Sequence, residues 1–132
     1  MKKSKERACM TRALVYYARI KGNENLRSPL DMYNAIRGAF IGKEMLAREL
    51  WAVQECLIIL EVLGEQETIK AITQIYLEPF SDSPLRVPAK REISMRILRF
   101  AFENHLDERT VYRRLQRARN LWLKILDVAN KL

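Results

Sequence analysis

The chain has 132 residues and a formal net charge of +8. That length supports one domain, or a small domain with a short module, and excludes an eightfold barrel or a doubly wound nucleotide fold. Four glycines and four prolines argue against a loop-rich or disordered chain, and the positive excess points to an acidic partner, most simply nucleic acid.

The first predicted element is a helix from about Ala8 to Ile20, with Leu14, Tyr17 and Ile20 near helical spacing and Gly22–Asn23 as its stop. Ser28 followed by Pro29 reads as a helix start, because the hydroxyl can cap and proline fits the first turn. Helical pattern then runs from Leu30 toward Leu63. Gly38 and Gly42 predict a break near Phe40 to Lys43. Leu46, Leu50, Val53, Leu57 and Leu60 recur at steps of four and three, the pattern of an amphipathic core helix, and Trp51 and Ile58 widen its apolar face. Gly64 is a C-terminal stop. A short helix from about Gln66 to Tyr76 follows, with Ile69, Ile72 and either Ile75 or Tyr76 inward. Residues 78–88 hold three prolines. The chain therefore divides into a helical region at 1–77, a linker at 78–88 and a carboxyl unit at 89–132. No strand alternation persists, so the fold class is all-α, a helical bundle.

The charge is uneven. Residues 1–8 hold four basic side chains against one acidic, and residues 9–85 hold eight against ten. Residues 86–120 hold ten basic side chains, nearly all arginine, against four acidic. A charge run alone is most often a solvated helix face, so the pattern beneath it decides its meaning. From Arg91 to Asn104, Ile93, Ile97, Phe100 and Ala101 form one apolar stripe, with Leu98 and Phe102 beside it. A short polar stop follows at Asn104–His105. Leu106 then plugs a turn, Asp107 stands at an N-cap position, and Val111 and Leu115 point inward from the next helix. This is helix, turn, helix. Ala101 is the small residue that lets the second helix cross closely. Glycine is usual where His105 stands, because the backbone there often turns left-handed.

On a helical wheel with Val111 at zero, Leu115, Ala118 and Trp122 fall on the same side. Arg109, Arg113, Gln116 and Asn120 fall near the opposite pole, Arg117 flanks them, and Tyr112 and Arg119 lie on one shoulder. The arginines thus sort onto the face a recognition helix presents. Arginine donates two bonds to guanine or pairs with phosphate, and glutamine pairs with adenine.

Asp107 to Leu115, followed by Ala118–Arg119, resembles the final helix-turn-helix of sigma-factor region four. It is most similar to the small phage and Firmicute regulators of the ArpU/RinA type. The resemblance is best from Ile93 to Leu126 and extends weakly back over Leu46 to Leu77. The first 40 residues carry none of it. Two features depart from the pattern: the proline-containing link is longer, and His105 replaces the turn glycine. The resemblance implies activation of a phage-like late operon, with RNA polymerase as a further partner.

Val111, Leu115, Ala118, Trp122, Ile125, Ala129 and Leu132 repeat at four and three, a heptad seam along one long final helix. It has two readings: packing on the amino-terminal helices of the same chain, or a homodimer.

Two isolated thiols, Cys9 and Cys56, and a single histidine supply neither a structural zinc site nor a disulfide framework, so a reducing, cytoplasmic setting is expected. Cys56 reads as a small buried hydrophobe. Glu65 and Glu67 read as helix-start charge complementing the dipole. Apolar runs are far short of a membrane span, and no phosphate loop or Ser–His–acid set is present. No enzyme activity, cofactor, metal or small-molecule ligand is expected. The expected function is sequence-specific binding of double-stranded DNA by a transcriptional regulator. Arg109, Tyr112, Arg113 and Gln116 are the candidate base-reading residues. Lys90, Arg91, Arg96, Arg99, Thr110, Arg117 and Arg119 are candidates for phosphate contact, with Arg86 beside them. The alternative is a protein-interaction or assembly module, or a DNA-packaging subunit like a small terminase.

Overall fold

Ser28 begins a helix for the reason its sequence gives. Its Oγ accepts the Asp31 backbone N–H at 3.2 Å, and Asp31 Oδ2 accepts the Ser28 N–H at 3.2 Å, closing a capping box with Pro29 in the first turn. In the computed structural model, residues 2–21, 26–38, 41–78 and 88–131 are described, with side chains from residue 5 onward. The described residues form six α-helices: α1 (Lys2–Ile20), α2 (Pro29–Ala35), α3 (Lys43–Val62), α4 (Gln66–Ile72), α5 (Lys90–Glu103) and α6 (Glu108–Lys131). A π-helical turn, Thr73–Leu77, continues α4. No strand occurs among them. The molecule is an all-α bundle with a long final helix, and none of the described helices is long and apolar enough to cross a membrane.

The bundle is built around α3, which packs on α1, α2, α4 and α6. Leu46, Leu50, Val53 and Leu60 are buried as their spacing predicts, while Leu57 and Trp51 are half-buried. Ile58 is exposed rather than inward. In its place Ala47, Ala52 and Cys56 are buried, because a central helix is covered on more than one side and the second side uses small residues that admit a close neighbour, and Glu49 is buried with Arg12 as its partner. The two glycines at the predicted break, Gly38 and Gly42, both hold positive φ, and α3 starts directly after Gly42. Helix α1 begins earlier than expected. It buries Met10, Ala13 and Leu14, with Tyr17 and Ile20 half-buried at the edge.

Helix α3 ends in a Schellman motif. Gly64 stands at φ 75°, its N–H reaches Glu61 O, and the Glu65 N–H reaches Leu60 O. The linker expected at 78–88 lies, for residues 79–87, outside the described residues. The helices on either side of it share one apolar core, which runs from Met10 on α1 through Ile75 to Phe100 and Trp122.

The final seam is filled inside the chain. Helix α6 crosses α3 with Ala118 fully buried, and the Cys56 thiol donates to the Ala118 carbonyl at 3.6 Å. Trp122 is 0% exposed, and its indole N–H donates to the Glu49 carbonyl of α3 at 3.1 Å. Of the two readings of the seam, packing on the chain's own amino-terminal helices is therefore the one that accounts for Val111 to Trp122. Leu132 lies outside the described residues.

Candidate nucleic-acid interface

The turn between α5 and α6 is a second Schellman motif, made this time with histidine. Ala101 accepts the Leu106 N–H at 2.8 Å, and Phe102 accepts the His105 N–H at 3.3 Å. His105 holds φ 54°, the left-handed conformation that glycine usually takes at this position. Asn104 pins the motif further. Its side-chain amide donates to Phe100 O and its Oδ1 accepts Lys70 Nζ, both at 2.8 Å, tying the turn to α4. Leu106 packs against the core as a plug. Asp107 then caps α6, with its Oδ1 accepting the Arg109 N–H at 3.3 Å.

Helix α5 buries Ile97, Phe100 and Ala101, and Ile93 is half-buried. Leu98 and Phe102, which lie beside that stripe, are exposed, Phe102 to 83%. Helix α6 buries Val111, Leu115, Ala118 and Trp122. That packing leaves Arg109, Tyr112, Arg113 and Asn120 exposed on one side. Gln116 is half-buried. It donates to Asn120 Oδ1 at 2.9 Å and accepts from Arg119 Nη2, so its amide is oriented before any partner arrives.

The residues expected to touch phosphate separate into two groups. Lys90, Arg91 and Arg99 are exposed on α5, and Thr110 is half-buried in the first turn of α6. Arg96, Arg117 and Arg119 have partners within the chain. Arg96 donates to the carbonyls of Ile75 at 3.2 Å and Glu78 at 2.8 Å, closing the C-terminal end of the π turn, and burial lowers its pKa. Arg117 is 66% exposed but pairs with Glu65 at 2.7 Å. Arg119 is 8% exposed. Burial lowers its pKa, and the like charge of Arg7 lowers it further. Arg86 lies outside the described residues.

Glu65 and Glu67 face α6 as ion-pair partners, Glu65 with Arg117 and Glu67 with Arg114 at 3.8 Å. Glu65 Oε2 also accepts the Thr68 hydroxyl at 3.0 Å. They therefore do more than complement a helix dipole: they brace α4 against α6.

One contributor has no local signal. Arg7 on α1 lines the same surface cleft as Lys90, Arg113 and Arg119. Arg7 from the first positive segment of the sequence and Lys90, Arg113 and Arg119 from the second converge through tertiary packing. The hint available beforehand was the positive charge of the first eight residues.

The fold and surface together define an all-α protein carrying a tight helix-turn-helix with an arginine-rich outer face. No protein-family model, curated protein or solved structure matches the chain.

Proposed function

We propose that the chain is a sequence-specific DNA-binding transcriptional regulator. The observation that carries this reading is the outer face of α6. A left-handed turn and a capped helix start hold Arg109, Tyr112 and Arg113 exposed on the first two turns, where a recognition helix meets base edges. A protein interface would be richer in apolar anchors at the same place. Arg109, Arg113 and the pre-oriented Gln116 read bases. Lys90, Arg91, Arg99 and Thr110 contact phosphate, joined by Arg7. Arg96 and Arg119 act within the fold instead, positioning α5 and α6, and Arg117 contacts phosphate only by leaving Glu65. The resemblance to sigma region four extends the proposal to RNA polymerase as a second partner and to activation of a phage-like operon.

Selection from a random pool of double-stranded DNA, repeated at two salt concentrations, tests the reading. A motif that persists while affinity falls steeply with salt is the expected result. The spacing of any paired half-sites gives the oligomeric state on DNA. Salt-sensitive binding without a motif would sink the regulator and favour an assembly or packaging role.

A further inference from the structure

A cleft of about 530 Å³ opens among α1, the end of α4 with its π turn, α5 and α6. Small-ligand sites commonly fall in the range of ~300–1,000 Å³. The floor is apolar, formed by Met10, Leu14, Ile72, Ile97 and Leu115. The charged lining is wholly basic: Arg7, Lys90, Arg113 and Arg119 line the cleft, and no acidic side chain does among the described residues.

The arginines elsewhere on these helices show what is unusual here. Arg12, Arg114 and Arg117 each meet a glutamate. Arg119 is buried, hydrogen-bonds to the neutral amide of Gln116, and faces Arg7 as a like charge, with Glu6 the acid that acts on it from outside the cleft lining. Tyr76 and Thr11, whose hydroxyls share a hydrogen bond, stand in the same lining, and Tyr76 feels both Arg7 and Arg119. A carboxylate between the two guanidiniums would relieve their repulsion and accept charge-assisted bonds from both. An apolar body behind it would cover the floor.

We propose that this cleft binds a small amphipathic carboxylate, with its head at Arg7 and Arg119 and its apolar body over Leu14, Ile72 and Ile97, and that occupancy weakens DNA binding. The second half rests on the DNA reading above. Tyr112, Arg113 and Gln116 belong both to the cleft wall and to the reading face. A bound anion draws Arg113 inward and places negative charge beside the phosphate path. By linkage, DNA weakens the ligand by the same factor.

Decanoate, kept below its micelle concentration, is the probe, and decanol is its neutral counterpart. Isothermal titration to the full chain should show one saturable site for decanoate. Arg7→Ala should weaken it roughly ten-fold, the loss of one hydrogen-bonded charge, and decanol should bind more weakly than decanoate to the wild type. Ser94→Trp fills the cleft from an exposed position of α5 and should abolish binding with an unchanged melting temperature. Saturating decanoate should reduce wild-type affinity for a selected duplex by about five-fold or more and leave Ser94→Trp unaffected. Absence of decanoate binding, or equal binding by Ser94→Trp, overturns the site. Decanol binding as tightly as decanoate overturns the role of the arginines. Decanoate binding with unchanged DNA affinity overturns the coupling. Failure of the wild type to bind any DNA overturns the regulator reading and the coupling, while calorimetry still decides the site.

Discussion

His105 occupies a backbone conformation that costs an L-amino acid roughly 1–2 kcal/mol and costs glycine almost nothing. Glycine in turn gives the unfolded chain more freedom. His105→Gly should therefore raise stability by about 0.5–1 kcal/mol, and His105→Val should lower it, as urea unfolding would register. Glu49 makes a second residue-scale case. It is buried on α3, and desolvation raises its pKa, with Arg12 at 2.8 Å opposing that shift. A carboxyl whose folded pKa lies above its unfolded value contributes stability that is fully present below the unfolded pKa and lost as pH rises through the folded one. The wild type should thus lose stability relative to Glu49→Gln as pH rises above the ordinary carboxyl range of about 4, because burial sets the folded pKa above the unfolded one. Equal pH profiles for the two proteins would remove Glu49 from the account. Arg12→Ala strands the carboxylate and should cost about 2 kcal/mol, less than a fully buried pair because Arg12 keeps a third of its surface in water. Burial pushes the Cys56 thiol up to about 12. A thiol reagent at neutral pH should leave Cys56 unmodified until the chain is denatured.

At the scale of elements, the contact between α3 and α6 is the most extensive between two helices among the described residues. Trp122 fills it and satisfies its indole N–H on Glu49 O. Trp122→Ala should cost about 3–5 kcal/mol by cavity formation and loss of the buried indole hydrogen bond. Trp122→Phe should cost less, and chemical denaturation would rank the two. Much of this layer is legible in the sequence. The spacing of Leu46, Leu50, Val53 and Leu60 marks the core helix, Ser28 and Asp107 mark starts, and the seam from Val111 to Trp122 marks the buried side of α6. The misplaced residues share one cause. Ile58 sits at the edge of an apolar stripe, and a wheel records its angle but not whether another helix lies across that edge. The same blindness hides the burial of Arg119, which stands about 80° from the seam centre on a wheel, and it is α1 and the π turn that close over it.

The whole molecule adds what no single element holds. Residues 1–8 and 86–120 are far apart in sequence, and only the packing of α1 beside α6 sets Arg7 near Arg113 and Arg119. The exposed basic face of α6 is legible because it is local to one helix and its turn. The basic cleft is not, because it depends on which helices meet. The measurement that tests the central claim most directly is fluorescence anisotropy of wild type and Arg113→Ala on a selected duplex and on its scrambled counterpart, at one salt concentration. The expected result is that the wild type prefers the selected site and that Arg113→Ala loses about 1–3 kcal/mol of that preference. Wild-type and Arg113→Ala chains with the same preference, or with none, would contradict base reading by α6.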